Sequence, residues 1–143
     1  MAWTEDNQAF HFIDTPTRQI KKYKFDLKTG EIKFDRIAIE IPEDSGFPDG
    51  MCIDREGMLW IAHYGGAGVY RWNPASGDLL EKIDLPVPNV TCCCFVGENL
   101  DTLLITTAQE NMSSEQLKKY PLSGDIFLVK TKANGYLSNL CEF

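Results

Sequence analysis

An alternation of aromatic and charged residues that runs into a polar turn and closes on glycine occurs twice in this chain. Tyr23-Lys24-Phe25-Asp26-Leu27-Lys28-Thr29-Gly30 lines up with Tyr70-Arg71-Trp72-Asn73-Pro74-Ala75-Ser76-Gly77, 47 residues further on. Upstream, Met1-Ala2-Trp3 aligns with Met51-Cys52-Ile53 at an offset of 50. A weaker third copy runs from Cys92 through Leu103-Leu104-Ile105-Thr106 to Val129 and Asn134-Gly135. A chain that repeats at this spacing is built from copies of one supersecondary unit, and each unit buries its apolar faces only against its neighbours.

Almost every segment reads as a strand of 4–7 residues. The expected strands are 9–13, 18–25, 36–41, 51–54, 59–63, 68–73, 79–84, 92–95, 102–107, 125–130 and 136–140. Turn signals separate them at Thr29-Gly30, Glu56-Gly57, Ser76-Gly77, Gly97-Glu98-Asn99 and Asn134-Gly135. Ser113 stands three residues before Gln116, a capping-box spacing, so one short helix is expected before Pro121. Repeats of this length with four strands each are the pattern of β-propeller blades, and the chain holds about three.

With 143 residues the chain can bury one ordinary core, so a single domain is expected. Its net charge is −7 and no basic run exceeds a pair, which excludes nucleic acid and anionic membrane as natural partners. No apolar run approaches the ~20 residues of a membrane span. The first residues, Met1-Ala2-Trp3-Thr4-Glu5-Asp6, lack the basic and apolar regions of a signal peptide. Five cysteines include the run Cys92-Cys93-Cys94, whose side chains alternate across a strand and cannot all pair. They read as reduced, half-buried small hydrophobes of a cytoplasmic protein, and with no C-x-x-C pair a zinc site has little support. Asn89-Val90-Thr91 and Asn111-Met112-Ser113 match the glycosylation pattern and are read as chance matches.

The segment Phe47-Pro48-Asp49-Gly50-Met51-Cys52-Ile53-Asp54 puts a carboxylate on a proline–glycine corner just before a buried strand. Pro48 fixes its own φ and pushes Phe47 to an extended shape, and Gly50 is expected to let the backbone turn sharply. A carboxylate held on such a corner can ligate a hard divalent cation or accept a proton, or it can simply cap the turn. Asp14, Asp54 and Asp101 read as turn residues. His63 ends an interior strand and either faces a channel or is a satisfied structural residue. His11, between Phe10 and Phe12, reads as structural. Tyr64-Gly65-Gly66-Ala67-Gly68 lacks the following Lys-Ser/Thr of a phosphate loop and reads as a hairpin. Trp3, Trp60 and Trp72 read as packing aromatics. No Gly-x-Ser-x-Gly elbow is present, which speaks against serine-hydrolase chemistry.

Pro48 to Ala62 also resembles the regucalcin/gluconolactonase family, which includes senescence marker protein and luciferin-regenerating enzyme. Its pattern is Pro-Asp-Gly-Met, a hydrophobic residue and Asp, a turn glycine, then Leu-Trp-hydrophobic-Ala. Gly68-Val69-Tyr70-Arg71-Trp72-Asn73-Pro74 with Gly77, Thr91 to Gly97, and Gly124-Asp125-Ile126-Phe127 continue the likeness in order. The resemblance implies an all-β chain whose three four-stranded antiparallel blades are half of a six-bladed propeller, with residues 1–143 as the C-terminal half.

The implied activity is a metal-dependent hydrolysis of sugar lactones, of the gluconolactonase type. Asp49 matches the family's metal-ligand aspartate, which is also its proposed base, and the cofactor would be a divalent metal (Ca, Zn, Mg or Mn). The alternative is a non-catalytic, regucalcin-like calcium-binding or protein-binding module. The family's other ligands, a glutamate and an asparagine, belong to the half that would precede Met1. Met1 falls on a position inside the family's chain. The implied partners are therefore a small-molecule lactone and either a missing N-terminal half or a second copy that closes the ring as a homodimer.

Overall fold

The computed structural model describes residues 1–137 and contains three antiparallel sheets. The first is β1 (Ala2–Trp3), β2 (Ala9–Asp14), β3 (Gln19–Phe25) and β4 (Ile32–Glu40), in that order. The second is β5 (Phe47–Ile53), β6 (Leu59–Tyr64), β7 (Gly68–Trp72) and β8 (Leu79–Asp84). The third is β9 (Val90–Val96), β10 (Thr102–Thr107) and β11 (Ile126–Lys130). Helix α1 (Ser114–Lys119) lies between β10 and β11 and carries the expected capping box. Ser113 Oγ accepts from the Gln116 amide at 3.2 Å, and Gln116 Oε1 accepts from the Ser113 amide at 2.8 Å.

Chain repetition is visible in the turns. Gly30 donates to the Asp26 carbonyl and Gly77 to the Asn73 carbonyl, both at 2.8 Å and both at positive φ (74° and 82°). In each turn the first side chain caps an amide two residues on: Asp26 Oδ1 accepts from Lys28, and Asn73 Oδ1 from Ala75.

The second sheet lies between the other two, which explains the unbroken apolar run at Leu59 to Ala62. Leu59 and Ile61 face the first sheet with Met51, Ile53, Tyr70 and Trp72, against Ile20 and Ile39. Trp60, Ala62 and Val69 face the third, against Val90, Cys93, Leu103 and Ile105. Every residue from Leu59 to His63 is 0% exposed, and complete burial of one large apolar side chain contributes about 1.5–3 kcal/mol. Contacts between sheets run through β5 and β9: β5 packs against β1 and β2, and β9 against β5 and β6. The sheets therefore meet near their first two strands, as propeller blades do.

Three strand expectations are corrected. Strand β4 begins at Ile32 rather than 36, because Phe34 pairs directly with Tyr23 and extends the ladder. Strand β5 begins at Phe47 rather than 51: it is an edge strand, where Pro48 costs no ladder bond, and a bulge between Pro48 and Met51 absorbs the corner. The third sheet has three strands among the described residues where four were expected. Of the expected strand 136–140, residues 136 and 137 are outside any strand and 138–140 lie outside the described residues.

Cysteine alternation is as expected along β9: Cys93 is buried, while Cys92 and Cys94 are exposed. The Cys93 and Cys52 sulfurs are 3.7 Å apart as free thiols, and Cys93 donates to the Trp60 carbonyl at 3.2 Å. Among the described residues no helix is long and apolar enough to cross a membrane.

Candidate functional site

Asp49 stands in the β5 bulge, on a segment tied down from both sides. Thr15 Oγ1 donates to the Pro48 carbonyl at 2.9 Å. The Arg18 guanidinium lies 3.8 Å over the Phe47 ring and donates to the Gly46 carbonyl. His63 Nδ1 donates to the Ser45 carbonyl at 2.7 Å. The role of Gly50 differs from the sequence expectation. Its φ is not positive, and glycine is needed because β9 passes against it: a Cβ at Gly50 would lie 2.4 Å from Cys92 Sγ and 2.7 Å from Cys92 Cα.

The four carboxylates singled out in the sequence divide sharply by their partners. Asp14 pairs with Lys21 at 2.6 Å and Asp101 with Lys130 at 2.8 Å. Asp54 is 1% exposed. Its Oδ1 accepts from the Glu56 and Met58 amides at 3.0 and 2.9 Å, and its Oδ2 accepts from Trp60 Nε1 at 2.9 Å and Arg71 Nε at 2.8 Å. Asp49 alone of the four is exposed and receives no hydrogen bond or ion pair among the described residues. Partial burial raises its pKa above the usual carboxylate value, since nothing compensates the charge it loses from water. A turn-capping role for Asp49 therefore finds no amide to cap.

Among the described residues no group of three or more His, Cys, Asp or Glu is placed to hold a metal ion. A hard cation takes about six to eight oxygen ligands, some of them water. Asp49 fits one position of such a shell. Its neighbour Cys92 is a soft ligand, and its thiol pKa is raised by burial.

Sequence reasoning missed the size of the Asp54 network. Of the two readings of His63 the structural one holds: it is buried between the first two sheets, with its ring stacked 3.8 Å from Tyr70 and its Nε2 without a partner among the described residues. His11 is 2% exposed and neither ring nitrogen has a partner among the described residues, so it is buried as expected of a structural residue but not satisfied. No local pattern announces the Asp54–Arg71 pair, which spans 17 residues and two hairpins.

Burial lowers the pKa of both rings to about 4, helped by Lys22 and Arg36 at His11 and by Lys82 and Arg18 at His63. The unfolded chain ionises these rings near the ordinary value of 6.5 and so binds more protons as the pH drops. Stability is therefore expected to fall as pH drops from about 6.5 to about 4, by on the order of 3 kcal/mol per ring over that window. Thermal denaturation across the window checks this, and a Tm that stays level would contradict burial of neutral rings.

Comparison with known proteins bears on the fold and the family. The model of the SMP-30/Gluconolactonase/LRE-like region matches residues 1–109. Human regucalcin is 38% identical over 127 residues, which are 89% of this chain and 42% of that protein. YvrE of Bacillus subtilis, named for sugar lactone lactonase activity, is 36% identical over 94% of this chain and 46% of its own length. A solved regucalcin from Agrobacterium tumefaciens, described as a calcium-binding protein, superposes with a TM-score of 0.91 at 25% identity, covering 99% of this chain and 48% of the other. The chain spans about half the length of the curated relatives it matches. It belongs to the SMP-30/gluconolactonase/LRE-like family.

Proposed function

We propose that this chain is one half of a six-bladed ring that hydrolyses sugar lactones with a divalent metal, and that Asp49 is its metal ligand and proton acceptor. The observation that carries this reading is the unpartnered carboxylate of Asp49, held on a braced bulge of an inner edge strand while Asp14, Asp54 and Asp101 are all engaged. A partner-free carboxylate with a raised pKa suits proton transfer near neutral pH better than one locked in an ion pair. A bound cation, held jointly with residues of the other half, supplies Lewis acidity toward a lactone carbonyl.

Two partly uncovered sheet faces support the half-ring reading. Trp3, Phe10, Tyr23 and Phe34 pair directly across β1 to β4, with ring centroids 4.7, 5.2 and 5.7 Å apart; Phe10 is buried within this row, while Phe34 at its end is 52% exposed. On β11, Ile126 and Leu128 are 64% and 66% exposed. Apolar faces at both ends of the stack are suited to burial against a further half, whether an N-terminal half or a second copy. The free thiols of the four described cysteines suit a cytoplasmic setting.

A second reading, a calcium-binding module without turnover, is favoured by the lone ligand and by the calcium-binding neighbour. Sedimentation of the purified chain, followed by assay of each species on gluconolactone with and without added divalent metal, separates the two. A ring-sized species that turns over lactone only with metal supports the hydrolase. Metal binding without turnover by that species supports the module.

A further inference from the structure

Between the first and second sheets lies a cavity of about 180 Å³, clear of the β5 bulge that carries Asp49. His11, Lys22 and Arg36 enter it from β2, β3 and β4, in direct register: His11 pairs with Lys22, and Lys22 with Arg36. Arg55 joins them from the β5–β6 turn. Three features set this cavity apart from ordinary inter-sheet space. First, His11 is 2% exposed with both ring nitrogens unpartnered, although buried polar atoms nearly always find a hydrogen bond. Second, Lys22 and Arg36 are like charges placed directly opposite each other across two strands, an arrangement that destabilises a sheet unless something neutralises it. Third, the charges do not balance within the protein. Among the described residues Lys22 and Arg55 form no ion pair, and Arg36 reaches only Asp35 at 3.2 Å and the Pro74 carbonyl at 3.1 Å. Of the two carboxylates on the cavity wall, Asp54 is already committed to Arg71, and Arg36 shares Asp35 outside the wall, which leaves Glu5 against Lys22 and Arg55.

We propose that this cavity is a binding site for a small oxyanion of the phosphate class, seated between Lys22, Arg36 and Arg55 with His11 donating one N–H from behind. An oxyanion meets the surplus of positive charge, and guanidinium groups suit the spacing of phosphate oxygens. The volume admits a phosphate with one or two waters, each occupying about 30 Å³, and is smaller than the roughly 300 Å³ of pockets for drug-sized ligands. The ligand is thus a free phosphate ion or the phosphoryl end of a small metabolite. A chain of net charge −7 repels anions at long range, so a local cluster of three cations stands out against its background.

Titration calorimetry of the full chain with inorganic phosphate at constant ionic strength tests the site. One saturable site is expected. Lys22→Met should weaken it by about tenfold or more and Arg55→Ala severalfold, while Asp49→Ala leaves it unchanged. The ring signals of His11 should shift on saturation in the parent and stay in place in Lys22→Met. Competition by glucose 6-phosphate would identify a phosphoryl group as the ligand, and its absence a free ion; either supports the site. No saturable heat at millimolar phosphate, or equal affinity in Lys22→Met and Arg55→Ala, overturns it. Because the Asp49 variant is the control, failure here leaves the hydrolase reading untouched.

Discussion

Asp54→Ala is expected to destabilise the chain by about 3–5 kcal/mol, the cost of breaking a buried ion pair from one side. Four donors lose their acceptor at once: the Glu56 and Met58 amides, Trp60 Nε1 and Arg71 Nε. Trp60 is 0% exposed, so water cannot replace the lost bond without opening the interface between the second and third sheets. Arg71 keeps Glu56, whose side chain is 72% exposed, and an exposed pair of that kind is worth only about 0–1 kcal/mol. The loss corresponds to a Tm lowered by roughly 10–20 °C. Glu56→Ala, which removes only the exposed arm, should shift Tm by no more than about 4 °C. Thermal denaturation of both variants is the measurement. Equal Tm values for Asp54→Ala and the parent would mean that the network does not hold the turn.

Asp49→Ala is expected to leave stability within about 0.5 kcal/mol of the parent, because the carboxylate makes no hydrogen bond to lose among the described residues. In the closed ring the same substitution should lower kcat/KM for a sugar lactone by about 10²–10⁴-fold, the range for a group that moves a proton or holds a catalytic cation. Asp49→Asn keeps the shape and removes the charge, so an equal loss in both variants assigns the effect to the carboxylate. The combination of unchanged stability with lost turnover is what distinguishes Asp49 from Asp54. If Asp49→Ala retains full activity, the hydrolysis proceeds through other groups and the assignment fails.

Much of the fold was legible in the chain itself. Local rules govern the elements whose donors and acceptors lie close in sequence. Asp26 and Asn73 cap turns closed by Gly30 and Gly77, and Ser113 with Gln116 starts the helix; each is satisfied within five residues. The run Leu59 to Ala62 read as a strand, and its burial on both faces came from the structure. Strand limits were less legible where pairing rather than composition extends them. Ile32 and Pro48 lie in strands because a neighbouring ladder recruits them. For the candidate site, the sequence identified Asp49 and the motif around it, but not its freedom from partners. That freedom is a matter of where every other donor lies.

The repeat and its turns settled, from sequence alone, that antiparallel sheets follow one another along this chain, since turn chemistry and alternation act over a few bonds. Tertiary structure alone decided which carboxylates are spent and which is free. It also decided that Gly50 yields to Cys92, and that His11, Lys22 and Arg36 share one cavity wall. Those outcomes depend on approaches between strands tens of residues apart, and such distances are set by how sheets pack, on which a local run of residues carries no information.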